Sequence, residues 1–271
     1  MTVLPAPGSR LRWALTDAGT LTRRYLAHLR RQPEQLVLTI GFPILILLIF
    51  VYLMGGMMVV PGGDYRQLLL PGMLTMTMLS GIGSTMVAVV TDAQRGITDR
   101  FRSMPMAHSA VLVGRAAADL TISAIGLAVL MLAGLAIGWR ISGGPLATVV
   151  AVGLLLLLRF AMLWVGIYLG LIARGTGAVT AAQALEFPVA FLSGVFLAPT
   201  TMPAVVSTLA EWNPLSSTAA ATRALFGNPG WGGESWIVQH PVLMAVAWPL
   251  VIIAVFAPLS VHRYRELASS S

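Results

Sequence analysis

The chain has no cysteine, no lysine and few charges of either sign. Without cysteine there are no disulfides, no thiol nucleophile and no thiolate metal site. Without lysine a G-x-x-x-x-G-K-[ST] phosphate loop cannot be written, so any ATP the protein depends on is hydrolysed by another polypeptide. Histidine is scarce too: His28, His108, His240 and His262 all fall at or beyond the ends of apolar runs, and no H-E-x-x-H occurs. No metal site is therefore expected inside those runs. Ser80-Gly81 and Ser193-Gly194 lie in apolar surroundings, but no histidine accompanies them to activate a hydroxyl, and small residues there are read as sites of close helix packing.

What fills the space is hydrophobic. Charged residues make up 10% of the sequence, against about 25% in soluble domains, while 57% is hydrophobic and the mean hydropathy is +0.83. This is the composition of an integral membrane protein. The net charge of +7 rests on 17 cations, all arginine, concentrated in the N-terminal arm, the 92–106 loop and the C-terminal tail. That placement suits an anionic inner leaflet; a nucleic-acid groove would interleave aromatic residues, so the expected surface partner is membrane lipid and not nucleic acid.

Hydropathy windows place membrane spans near 36–58, 68–91, 111–138, 145–172, 178–198 and 241–261. The expected fold is an all-α membrane protein: an arm over 1–35, one six-helix domain over 36–261 and a tail over 262–271. The first apolar run starts at Leu36, lacks a small-residue cleavage site and is long enough to span, so it reads as a span and not as a signal peptide. Arg10, Arg12, Arg23, Arg24, Arg30, Arg31, Arg95, Arg100, Arg102, Arg174, Arg263 and Arg265 fall on one side of this topology, and Arg66, Arg140 and Arg223 on the other. The positive-inside rule then makes both termini cytosolic, in a cell inner (plasma) membrane. In the arm, Leu11, Leu15, Ala18, Leu21, Tyr25 and Leu29 share one side of a helical wheel opposite arginines, which predicts an amphipathic interfacial helix ended before Pro33.

Three features carry functional weight. In the 92–106 loop, Ile97, Phe101 and Met104 recur at i, i+4, i+7 among Arg95, Asp99, Arg100 and Arg102, and Pro105 ends the pattern. A short helix with an apolar ridge fits either a solvated connector or a docking element for a soluble partner. Between the fifth and sixth spans, residues 198–240 are apolar and proline-rich; 205–212 and 216–226 read as two short helices either side of Asn213-Pro214, too short to cross and suited to a re-entrant or interfacial hairpin at the outer face. Asn213 is placed to cap the second helix. Inside the spans lie Arg159 and Glu186, charges that need partners at membrane depth. They can pair with each other across two helices or act on substrate or protons, and Arg115 can pair with Asp119 four residues on.

The run Gly96-Ile97-Thr98-Asp99-Arg100-Phe101-Arg102-Ser103-Met104-Pro105, then Val113-Gly114-Arg115 and Asp119, resembles the cytosolic loop of type-2 ATP-binding-cassette (ABC) permeases, most closely the daunorubicin-resistance group of drug exporters. Phe191-Leu192-Ser193, Phe196, Met202-Pro203, Glu211-Trp212-Asn213-Pro214 and Arg223 look like that family's segment after the fifth span. The resemblance implies a permease subunit that pairs with a second permease, identical or homologous, and with two separate ATPase subunits. It implies that the 92–106 loop is the coupling helix, and that the segment after the fifth span is re-entrant on the outer side. ATP and magnesium would be bound by the ATPase partners, with no cofactor and no catalytic site on this chain. The expected cargo is amphiphilic, drug-like or lipid-like, along a pathway drawn from Phe42, Phe187, Phe191 and Phe196. The alternatives are an ABC permease for a lipid or glycan; an ion-coupled secondary transporter, which would need midplane carboxylates and an internal repeat where only Glu186 is seen; and an integral membrane enzyme, for which no catalytic constellation is found.

Overall fold

The computed structural model describes residues 33–55, 64–94, 108–173 and 175–269, and every regular element among them is a helix. The arm helix and the loop residues Arg95, Ile97, Asp99, Arg100, Phe101, Arg102 and Met104 lie outside the described residues. In chain order the helices are α1 (Pro33–Ile49, continued by a π-helical turn Phe50–Met54), α2 (Tyr65–Leu79), α3 (Gly81–Gln94), α4 (His108–Ala136), α5 (Gly144–Ile172) and α6 (Thr176–Phe191). There follow α7 (Ala204–Trp212), α8 (Pro214–Phe226), the single turn α9 (Trp236–Gln239) and α10 (Pro241–Ser269). Among the described residues four stretches are long and apolar enough to cross a membrane: Tyr65–Asp92, Ala116–Ala136, Gly144–Ile172 and Pro241–Tyr264. Gly41–Leu53 is a shorter apolar helix.

Three boundaries differ from the hydropathy reading. The expected span 68–91 is two helices in line, broken at Ser80. Thr75, Thr77, Ser80 and Ser84 each turn a hydroxyl back onto a carbonyl three or four residues earlier, which competes with the helical ladder and bends it, and the glycines at 81 and 83 add no side-chain support. The expected span 178–198 ends at Phe191, and the chain turns tightly through 192–198. The last helix runs unbroken to Ser269, so no structural break separates the expected tail from the sixth span.

α5 is the axis of the molecule. Its 29 residues extend about 43 Å at 1.5 Å per residue, and it packs against α10, α3, α8, α2 and α4. Leu155, Leu158 and Met162 meet Leu68, Leu69, Met73 and Leu74 of α2 in one core. Lower on the same helix α5 approaches α3 so closely that a Cβ on Gly166 would stand 2.7 Å from the Ile82 carbonyl oxygen. Small residues permit this approach between membrane helices, where packing and not water exclusion drives association. Gly166→Val is expected to cost about 1–3 kcal/mol through overpacking, read as a lowered unfolding midpoint in detergent; an unchanged midpoint would show that α3 and α5 separate freely. α6 and α10, by contrast, point large side chains away from the bundle, Leu185 at 61% and Val251 at 53% exposure among them, as a lipid-facing helix does.

The end of the bundle that carries the α4–α5 connection is tied by polar contacts from three parts of the chain. Asn228 donates to Gln67 Oε1 and to the Arg140 carbonyl, both at 2.9 Å, and accepts from the Trp139 indole at 2.8 Å. Arg66 reaches the Ile137 carbonyl at 2.9 Å, and the amides of Ser142 and Gly143 bond the Phe226 carbonyl. Residues 137–143 are thereby latched to the start of α2 and the end of α8.

Candidate functional site

At the Ser80 break α3 begins in mid-bundle, and the N–H groups of a first helical turn have no partner within the helix. Glu186, reaching from α6, accepts the Gly83 N–H with Oε1 at 2.7 Å. The approach requires glycine: a Cβ at 83 would sit 2.9 Å from that oxygen and 2.5 Å from Gln183 Cγ. The carboxylate thus caps a helix start supplied by the break, where the helix dipole favours negative charge. On the other side of the same turn lies Arg159, midway along α5, with its guanidinium packed onto Gly81.

Arg159 does not pair with Glu186. It pairs with Asp119 of α4: Nη2 donates to Oδ1 at 2.6 Å and Nε to Oδ2 at 2.7 Å, a bidentate geometry, while Nη2 also reaches Ser84 Oγ at 3.3 Å. The reason is orientation. Glu186 is spent on the free amide at the break, whereas Asp119 presents both oxygens to the planar fork. The expected pairing of Asp119 with Arg115 involves a side chain that lies outside the described residues. The side chains of Arg159 and Asp119 are only 8% and 19% exposed, so this is a buried pair whose members cannot be removed singly without a large penalty.

The second polar centre surrounds Arg223. α7 and α8 stand either side of Asn213, whose extended backbone and Pro214 end one helix and start the next; its Oδ1 accepts the Leu215 N–H at 3.0 Å and its amide group holds the Val189 and Leu192 carbonyls at the end of α6. Arg223, 2% exposed, donates to the carbonyls of Leu68 at 3.0 Å, Gly194 at 2.8 Å and Val195 at 2.6 Å. It is a staple joining α8 to α2 and to the turn after α6. The Trp231 ring lies 5.8 Å from the guanidinium carbon and its indole also donates to the Gly194 carbonyl. A cavity of about 40 Å³ beside it is lined by Glu211, Ser216, Ser217, Arg223 and Trp231. That is room for a few waters, far below the 300 Å³ or more of a drug-sized pocket. Trp212 is half exposed and meets Trp248 of α10 edge-on, with ring centroids 6.3 Å apart.

Of the four phenylalanines singled out in the sequence, three come together. Phe187, Phe191 and Phe196 stack with centroids 5.5 and 4.8 Å apart, and Phe50 of the π turn continues the stack at 5.2 Å from Phe196. Phe42 is half exposed on α1 and makes no ring contact among the described residues. Sequence reading missed Phe50, because a π turn alters the face on which a side chain emerges. It also missed Ser84 and Gly83, for which the signal available was the hydroxyl- and glycine-rich run from Thr75 to Ser84.

A bundle of apolar helices with an ion pair at its centre and a capped helical hairpin at one end is a polytopic membrane protein. A family model described as "ABC-2 type transporter" matches residues 16–226. The chain is also 32% identical, over 98% of its own length and 92% of the relative's, to the daunorubicin resistance ABC transporter permease protein DrrB1 of Streptomyces coeruleorubidus. This chain belongs to the ABC-2 type transporter family and is a membrane subunit of an ABC transporter.

Proposed function

We propose that the chain is the permease of an ATP-driven exporter that moves amphiphilic, drug-like molecules out of the cytosol or the inner leaflet, working with a second permease and two ATPase subunits. The observation that carries this reading is the end-to-end similarity to a daunorubicin resistance permease. In the proposed topology, α1 with its π turn, the α2–α3 stretch, α4, α5, α6 and α10 make six crossings in the inner membrane, and both termini are cytosolic. α6 has 16 residues, about 24 Å, and the 192–198 turn completes its crossing. The α7–α8 hairpin and the 137–143 latch then lie on the outer side, Trp212 at headgroup depth. A latch sealed by residues from three parts of the chain fits a state closed to the outside.

The 92–106 loop is the coupling helix in this reading. ATP and magnesium bind the ATPase partners; their closure pushes on Ile97, Phe101 and Met104 and shifts access between the permeases from inward to outward. Cargo is received by the Phe187–Phe191–Phe196 stack, whose flat apolar rings suit an amphiphile without selecting one compound. In vesicles carrying this chain and its ATPase, export is expected to require ATP. Phe101→Ala should reduce it about tenfold, as loss of a buried anchor does at other interfaces, with insertion and yield near normal. Export without ATP or without the ATPase would overturn the exporter reading, and unchanged export and ATPase association in the variant would overturn the docking role.

A further inference from the structure

α6 carries a stripe that its packing in the bundle does not use. Thr176, Thr180, Gln183, Phe187 and Phe191 recur at i, i+4, i+7, i+11 and i+15, which puts them on one side of the helix. The two threonines and Gln183 are exposed, Phe187 is 36% exposed and Phe191 is half-buried. The inward contacts of α6 are made by other residues, Val179, Ala182 and Ala190. Along the axis the stripe changes character: hydroxyls and an amide come first, then two phenylalanines stacked with centroids 5.5 Å apart.

Gln183 stands where the two halves join, one turn before Phe187, and residues four apart on a helix have Cβ atoms about 5–6 Å from each other. Its side chain rests on α3: a Cβ at Gly83 would stand 2.5 Å from Gln183 Cγ and 3.3 Å from Nε2, so any larger residue at 83 would collide with it. Thr180 turns its hydroxyl back onto the Thr176 carbonyl at 3.2 Å. The Gln183 amide, which has two donors and an acceptor, has no partner among the described residues. Hydrocarbon cannot satisfy such a group in the middle of a crossing helix, and a track that is polar and then aromatic has the polarity of an amphiphile laid along it. We propose that Gln183 sets the orientation and part of the specificity of the cargo, by hydrogen-bonding an uncharged hydroxyl or amide at the polar end of an amphiphile whose apolar body lies along Phe187 and Phe191. The assignment rests on the reading of the phenylalanine stack as the cargo surface, and it adds the chemistry of the cargo's polar end and the direction in which that end points, toward Thr180.

The test uses the purified full-length chain in nanodiscs of zwitterionic lipid, with 1-pyrenebutanol and its methyl ether as probes that share one apolar body. Affinities are referred to the probe dissolved in the discs, measured with empty discs. The wild type should bind the alcohol about fivefold more tightly than the ether, the hydrogen bond donated by the hydroxyl being the difference. Gln183→Leu should abolish that preference by weakening the alcohol alone, leaving the ether within about twofold. Gln183→Met, which keeps the length of the side chain, is a second variant with the same expectation. Equal wild-type affinity for the two probes, or a preference that survives in these variants, overturns the proposal. So does a Gln183→Leu variant that loses its crosslinked permease dimer while both probes bind as in the wild type, an outcome that gives the stripe to a second copy of the chain. Failure of the underlying reading shows separately: Phe187→Ala should weaken both probes by the same factor, and unchanged affinities there remove the stack from the cargo surface while the alcohol–ether comparison still judges Gln183.

Discussion

Replacing Arg223 with leucine is expected to remove most of the folded protein. Leucine can fill part of the space, so the loss comes from the three carbonyls: Val195 loses its donor, Gly194 keeps only the Trp231 indole, and Leu68 keeps only its place in the helical ladder of α2. An orphaned buried polar group costs about 1–3 kcal/mol and each further hydrogen bond lost about 1 kcal/mol, which together is a large share of an ordinary domain's stability. Arg223→Lys should recover little, because one ammonium cannot reproduce a planar fork that serves two chain segments at once. Size-exclusion profiles of a fluorescent fusion would read the effect directly. A monodisperse leucine variant at wild-type yield would show that the staple is dispensable and that α8 is held by its apolar face alone.

The second large effect belongs to the ion pair of α4 and α5. Asp119→Ala should cost about 3–5 kcal/mol, since it leaves Arg159 charged and unpaired within the bundle. Asp119→Leu combined with Arg159→Met should recover most of the folded yield, because an apolar pair of similar volume needs no compensation there. Glu186 shares the Gly81–Ser84 turn with Arg159 without bonding it directly, so neutralising it should couple to changes at Arg159 more weakly than Asp119 does. A double variant no better than the worse single one would refute the pairing, and strong coupling of Arg159 to Glu186 would restore the pairing that the sequence alone leaves open.

What the sequence allowed to be read followed the physics that sequence encodes locally. Asn213-Pro214 is a cap and a helix start by its own chemistry, and the helices either side of it lie where proline and apolar spacing place them. α4 and α5 begin and end close to their hydropathy limits, because nothing in them competes with the helical ladder. The break at Ser80 was hidden, since hydropathy sums over hydroxyls and glycines that individually weaken a helix. Arg159 needed a partner by burial alone, yet Asp119 and Glu186 both met the requirement of charge, and only the free amide at Gly83 explains why one of them is used otherwise. Arg223 is not legible as a staple, because its partners are carbonyls that every residue carries. Phe50 joined the aromatic stack through a π turn for which no residue pattern gives a signal.

The latch has a consequence for how the protein is made. Its donors and acceptors come from residues 66–67, 137–143 and 226–228, and the Leu68 carbonyl waits for Arg223. During synthesis the first four helical stretches are therefore inserted before the groups that close one end of them exist. A nascent chain halted short of Arg223 keeps the α4–α5 connection without its Asn228 and Phe226 partners and the Leu68 carbonyl without Arg223, so the polar end of the early bundle closes only when α8 is complete.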